Sequence, residues 1–183
     1  MFTADQLVSV DESSKDGRTL YRRYGWSPRG ETAHRTVDFP RGERWSLLPA
    51  LTIDGYIAKR IVKGSIDGLE FLDFILEDVT PQLPKMNPYP LSRSVLLLDN
   101  CSIHKMQHLV DAVTAAGCKI RFLPPYAPEL NPIEESFAAV KAALRRHFRY
   151  IGTLSGDEAL EIACDAVTGE KAKAWFAHSG YYP

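Results

Sequence analysis

Three carboxylates stand where side chains could do chemistry. Asp11 closes the run Gln6 to Val10 (QLVSV), and Asp99 closes Ser94 to Leu98 (SVLLL). Glu134 falls in the first turn of the helix that opens out of 123-LPPYAPELNPIEESF-137. In an open sheet with parallel strands, ligands gather at the carboxyl ends of the strands. Three carboxylates converging there make an oxygen-rich cage for a hard divalent cation such as Mg²⁺ or Mn²⁺. Two such ions about 4 Å apart can clamp the attacking and leaving oxygens of an in-line phosphoryl displacement. No side chain then needs to be the nucleophile.

The elements that must position these acids are legible from pattern. Gln6 to Val10, Ser46 to Ile53, Tyr56 to Val62, Ser94 to Leu98 and Lys119 to Leu123 read as five strands. The second and third join at 54-DG-55, a hairpin turn. Leu72, Ile75, Leu76, Val79 and Leu83 recur at helical spacing, with Ser65 or Asp67 as cap. His104 to Ala116 forms a helix that closes at Gly117. Ser94 to Leu98 and Lys119 to Leu123 read as strands covered on both faces. The order is strand pairs first, then βαβ alternation. That predicts an α/β fold with a mixed five-stranded sheet, three antiparallel and then parallel strands, flanked by helices. Residues 157–177 add one or two short helices.

The proline loop has a purpose in this scheme. Pro124, Pro125, Pro128 and Pro132 restrict φ, and each disfavours helix before it. Asn131 is a good N-cap and Pro132 suits the first helical position, so the loop fixes where the helix starts and where Glu134 stands. Ile133, Phe137, Val140, Leu144 and Phe148 form the buried stripe of this helix.

Each acid also has a plainer reading. Glu134 occupies the capping-box position relative to Asn131, and Glu135 is a solvated first-turn acid favoured by the helix dipole. Asp11 and Asp99 read equally as turn or cap residues at strand ends. Glu12 reads as a ligand or a loop carboxylate. His104, five residues past Asp99, orients a ligand or touches phosphate, or does neither.

Bulk properties bound the function. The 183 residues carry a net charge of −1, with 45% hydrophobic and 25% charged residues, which suits one soluble globular domain. Any nucleic-acid partner must therefore meet a local patch. One candidate is Lys141, Arg145, Arg146, His147 and Arg149 at the end of the last long helix, although cations are favoured there anyway. Another is 21-YRRYGWSPRGE-31, including Arg29, which mixes arginine with aromatics and suits either stacking on bases or packing on a partner subunit. Cys101, Cys118 and Cys164 have no metal-site or disulfide pattern and suit a reducing, intracellular setting. The first residues, MFTADQLVSV, lack the basic region and apolar core of a secretory signal. The longest aliphatic run is too short to span a bilayer.

The segments 8-VSVDES-13, 25-GWSPRGE-31, 95-VLLLDNCSIH-104 and 123-LPPYAPELNPIEESF-137 together resemble the catalytic domain of the mariner-like transposases of the DDE endonuclease superfamily. The tail 166-AVTGEKAKAWFAHSGY-181 is similar to fungal members. The 34 residues between Asp99 and Glu134 match one major branch of that family. The resemblance implies a ribonuclease H-like fold, with residues 1–150 as the catalytic domain and 151–183 as its helical extension. It implies that Asp11, Asp99 and Glu134 are the catalytic, metal-binding triad for Mg²⁺ or Mn²⁺, with two ions. The implied partner is double-stranded DNA; from their charge and position, Arg29, His104, Lys141, Arg145 and Arg146 are the residues expected to contact it. The implied reaction is cleavage of phosphodiesters at transposon ends and transfer of the freed 3′-hydroxyl to target DNA, in the nucleus. By position, Gly17 to Arg44 would contact a second subunit, giving a homodimer.

Family members usually carry helix-turn-helix domains before the triad, for which the residues ahead of Asp11 leave no room. The expectation is a fragment of a longer transposase, or a decayed or co-opted copy. The alternative functions are a non-catalytic DNA-binding or dimerising module, and a hydrolase acting on RNA–DNA hybrids.

Overall fold

The structure is a computed structural model that describes residues 2–15, 25–34, 43–79, 85–101, 104–147 and 154–182. Its strands are β1 (Leu7–Val10), β2 (Ser13–Lys15), β3 (Trp45–Thr52), β4 (Gly55–Lys63), β5 (Val95–Leu98) and β6 (Lys119–Phe122). The helices are α1 (Gly68–Phe74), α2 (Gln107–Ala115), α3 (Pro132–Arg146), α4 (Gly156–Cys164) and α5 (Gly169–His178). β4, β3 and β1 are antiparallel neighbours, while β1, β5 and β6 run parallel. The mixed α/β sheet is as expected, and among the described residues it comprises six strand segments.

The sixth segment comes from a break in the first strand. β1 pairs with β3 through Ser9↔Leu51 and Val10↔Ala50, and β2 pairs with the same strand through Ser13↔Leu47 and Ser14↔Ser46. The register does not change across the gap, so β1 and β2 are one strand interrupted at Asp11 and Glu12. Continuing that register places Pro49 opposite Asp11. Proline has no N–H to give to a ladder, and pairing stops there. The gap releases two consecutive acidic side chains from the pleat.

Strand alternation sends the two acids to opposite faces of the sheet. Val8, Val10, Leu48, Leu96 and Leu98 pack with Phe71, Phe74 and Ile75 of the first helical segment and with Leu109 and Val113 of α2. Leu7, Leu51 and Val95 pack on the other face with Ile133 and Phe137 of α3 and Phe176 of α5. Val140 and Leu144 of α3 meet Leu160 and Ala163 of α4. Helices therefore cover both faces, α1 and α2 on one, α3 to α5 on the other. Buried Ile133, Phe137, Val140 and Leu144 make the predicted stripe; Phe148 lies outside the described residues.

Four local expectations need correction. The hairpin turn is centred on Ile53 and Asp54, because Gly55 already pairs with Thr52 and takes φ 106°. Asp67, one of the two expected caps, does cap α1 by accepting from the amides of Leu69 and Glu70. Beyond Phe74 the chain continues as a π turn over Ile75–Val79. Leu76 is exposed, and Phe71 and Phe74 fill the core together with Ile75 and Val79. Leu83 lies outside the described residues. β6 is an edge strand with Lys119, Arg121 and Phe122 exposed, not a strand covered on both faces. Finally, α2 begins at Gln107, leaving His104 in a separate tight turn.

Gly117 does end α2, with φ 77° and Pro88 Cβ only 3.1 Å from where a methyl group would stand. Gly117→Ala is expected to destabilise the protein by about 1–2 kcal/mol, the cost of left-handed backbone for an L-residue. Urea unfolding would show it; an unchanged midpoint contradicts the expectation.

Candidate active site

Asp11, Asp99 and Glu134 line one cleft of about 530 Å³, with Asn131, Leu123 and the loop residues Pro124 to Pro128. Asp11 comes from the break in the first strand and Asp99 from the end of β5. Glu134 comes from the first turn of α3. The parallel pairing of β1 and β5, Val10 beside Leu98, sets Asp11 and Asp99 side by side at the same end of the sheet. Tyr126, with φ 58°, holds the proline loop at the rim in left-handed backbone that a non-glycine residue rarely adopts.

The environments of the acids differ. Asp11 is only 8% exposed. Its Oδ1 accepts the Glu12 N–H at 2.7 Å and its Oδ2 accepts from the Asn131 amide at 3.0 Å. Burial, then the charges of Glu12 and Asp99, and more weakly that of Glu134, push its pKa up to about 7. Asp99 also serves its turn: Oδ1 accepts the Cys101 N–H at 2.9 Å. Glu134 is exposed, and Asn131 makes no side-chain cap to α3, so the capping-box reading does not hold. Glu135 is not simply solvated but pairs with His178 Nδ1 at 2.5 Å.

Asn131 is the residue whose role pattern alone misread. Its Oδ1 accepts the Ser9 hydroxyl at 2.6 Å while its amide donates to Asp11. It is a tether between the first strand and α3, not a cap. The overlooked signal was Ser9, one hydroxyl inside the wholly buried strand LVSV. Such a group must find a partner. Asn131→Ala is expected to cost about 2 kcal/mol for two buried hydrogen bonds. Asn131→Asp, harmless at a true cap, should cost at least as much at neutral pH, because it sets a second carboxylate against Asp11. Denaturant titration of both variants checks this; a silent Asn131→Asp restores the capping role.

His104 is fully buried, so its ring presents no atom to a DNA phosphate as the sequence suggested. Nδ1 meets Asp99 Oδ1 at 2.6 Å and Nε2 meets Glu12 Oε2 at 3.2 Å. Burial pulls the imidazole pKa down, but the Glu12 hydrogen bond and the charges of Glu12, Asp99 and Asp11 outweigh it and raise it. Glu12 is thus held by His104 rather than left as a loop carboxylate.

The other basic positions stand apart from the cleft. Arg145 and Arg146 lie about 16–18 Å along α3 from Glu134, at 1.5 Å per residue. Lys141 lines a shallow groove with Lys15. Residues 25–34, including Arg29 and Trp26, are exposed. Residues 17–24, 35–42 and Arg149 lie outside the described residues, and so does most of the segment expected to touch a second subunit.

The donor set suits a hard divalent cation: three carboxylates on one cleft, one of them desolvated and crowded by like charge. Among the described residues, no three His, Cys, Asp or Glu side chains are grouped closely enough to hold a metal ion as they stand.

A mixed sheet in the order β4-β3-β1-β5-β6, with acids at the ends of its two central strands, defines the ribonuclease H-like class. Residues 6–155 match the family model described as DDE superfamily endonuclease, and the chain belongs to that superfamily. The fold is similar to the Mos1 transposase paired-end complex with left transposon end, at TM-score 0.61 and 16% identity over 98% of this chain and 57% of that one. It is similar to the mariner Mos1 paired-end complex with Mg, at TM-score 0.57 and 18% identity over 97% and 56%. The catalytic domain of Mos1 mariner transposase matches at TM-score 0.51 and 14% identity, over 98% and 85%. The chain spans little more than half the length of the first two. No curated protein matches it.

Proposed function

We propose that this chain is the catalytic unit of a mariner-like transposase, cutting DNA phosphodiesters and joining the freed 3′-hydroxyl to target DNA with Mg²⁺ or Mn²⁺. One observation carries the reading: on a chain of the DDE superfamily, Asp11, Asp99 and Glu134 line a single cleft. Two ions, a homodimer and a nuclear setting belong to the same proposal. Solved relatives assembled on transposon ends, one of them with Mg, support it.

Asp11, Asp99 and Glu134 would hold the metal. When bound, it lowers the pKa of the attacking water or hydroxyl and takes up charge on the phosphate. With a pKa of about 7, Asp11 is partly protonated near neutral pH without a cation, and becoming a ligand would displace that proton. The proline loop holds the cleft wall and the start of α3, and Tyr181 stiffens it through a 2.9 Å hydrogen bond to the Leu130 carbonyl. Lys141, Arg145, Arg146 and Arg29 offer cations to DNA phosphates at a distance from the reacting bond.

The open spacing of the acids favours a second reading, a DNA-binding or dimerising module without turnover. Incubation with supercoiled duplex DNA and an RNA–DNA hybrid, each with Mn²⁺ or with chelator, separates the possibilities. Metal-dependent nicking of the duplex is expected. Salt-sensitive binding with no product in any lane would establish the module, and cleavage of the hybrid alone would establish a hybrid hydrolase.

A further inference from the structure

His104 joins three elements that approach the cleft from different directions. It follows β5, its ring lies against Phe71 of α1 at 4.2 Å between centroids, and its two nitrogens face Asp99 and Glu12. Glu12 reaches it because the strand break releases two successive acids and the pleat sends them to opposite faces. Asp11 goes to Asn131 on the α3 side and Glu12 to His104 on the α1 side. Glu12 and Asp99 keep part of their surface in solvent, 32% and 42%, while the histidine between them keeps none.

The consequence falls on Asp99. Its Oδ1 receives both the His104 ring at 2.6 Å and the Cys101 amide at 2.9 Å. Among the described residues Oδ2 has no hydrogen-bond partner, which leaves it for the cleft that Asp99 lines. A carboxylate free to turn would lose rotamer freedom on binding a cation; one already held does not.

We propose that His104 is a positioning residue that locks the Asp99 carboxylate toward the cleft, and that Glu12 acts through it by locking the ring. The proposal rests on the metal-dependent reading above, and it deepens it by assigning a support shell to the site. Outer partners of this kind typically change metal affinity 10–100-fold when removed.

The test measures Mn²⁺ affinity of the whole DNA-free chain by calorimetry, with the melting temperature as a folding control. His104→Phe keeps a ring against Phe71 and removes both nitrogens. It is expected to weaken Mn²⁺ binding by about 10–100-fold while the protein stays folded. His104→Gln, whose single amide reaches one carboxylate, should recover part of the loss. Glu12→Ala should weaken binding in the parent and add nothing in the His104→Phe background. Parent-like affinity in folded His104→Phe overturns the proposal, as do fully additive losses, which would make Glu12 a direct ligand. If His104→Phe does not fold, Glu12→Ala decides alone: unchanged affinity overturns the proposal. A parent chain that binds no Mn²⁺ overturns the metal reading and this proposal together, whereas binding by the parent that no variant disturbs overturns only this one.

Discussion

Replacing Asp99 by asparagine is expected to reduce Mn²⁺-dependent nicking of duplex DNA by about a thousand-fold or more, with the fold retained. The change is nearly isosteric. An asparagine carbonyl can still accept from Cys101 and face His104, as Asp99 Oδ1 does, so the tight turn after β5 keeps its hydrogen bonds. What is lost is the negative charge of an acid lining the cleft. A metal site supplies several kcal/mol of transition-state stabilisation, and each 1.36 kcal/mol is a factor of ten. Losing about 4 kcal/mol therefore removes about three decades of rate. Plasmid nicking measured beside the melting temperature checks it. Activity within tenfold of the parent, in a folded variant, would remove Asp99 from the catalytic set.

The second large effect concerns stability and runs opposite to intuition. Asp11→Asn is expected to stabilise the metal-free protein at pH 8. The Asp11 pKa stands at about 7 in the folded chain against the ordinary value of 3.8. Between those values the folded state holds a proton that the unfolded state has released. Stability therefore falls as pH rises from about 4 to about 7 and levels off above. Below about pH 4 both states are protonated and the group contributes nothing. A carboxyl raised that far carries a penalty on the order of 4 kcal/mol when it is ionised. Asparagine removes that penalty but has only one acceptor where Asp11 serves both Glu12 and Asn131, which returns about 1–2 kcal/mol. The net gain is about 2–3 kcal/mol at pH 8; at pH 4, with no penalty to remove, the variant is about 1–2 kcal/mol less stable than the parent. Guanidinium unfolding with chelator across that range measures it. A variant less stable than the parent at pH 8 would mean that Asp11 is not crowded by burial and like charge.

The two predictions pull apart activity and stability at neighbouring carboxylates. The acid whose ionisation costs the fold most is buried at a strand break, and the one with partly exposed surface is braced by histidine. Under the proposed function, a bound cation would offset the destabilisation that like charges cause at one cleft, a pattern expected of a site selected for function.

Local pattern was enough for much of this protein. Apolar runs located β1, β3 and β5, because a buried strand must be apolar. The 3.6-residue stripe located α3, and proline chemistry located its first residue. The strand ends put Asp11 and Asp99 where a parallel pair would bring them together, and the quoted motifs pointed to the family. Pattern was weaker where register matters. The first helical stripe lies one position off, with Phe71, Phe74 and Ile75 in the core and Leu76 exposed, because the run FLDFIL offers more than one apolar face.

Tertiary structure alone decided how the acids are held. Pro49 interrupts the first strand from across the sheet, 38 residues away in the chain. Asn131 looks like a cap and His104 like a helix start, yet both turn to the carboxylates, reaching Asp11 and Ser9 in one case, Asp99 and Glu12 in the other. A polar side chain near an element boundary chooses between a local amide and a distant partner only once the sheet has closed and water has left. The local partner is visible in a run of letters. The distant one depends on burial, because only desolvation makes an unsatisfied hydroxyl, amide or imidazole costly enough to dictate where it points.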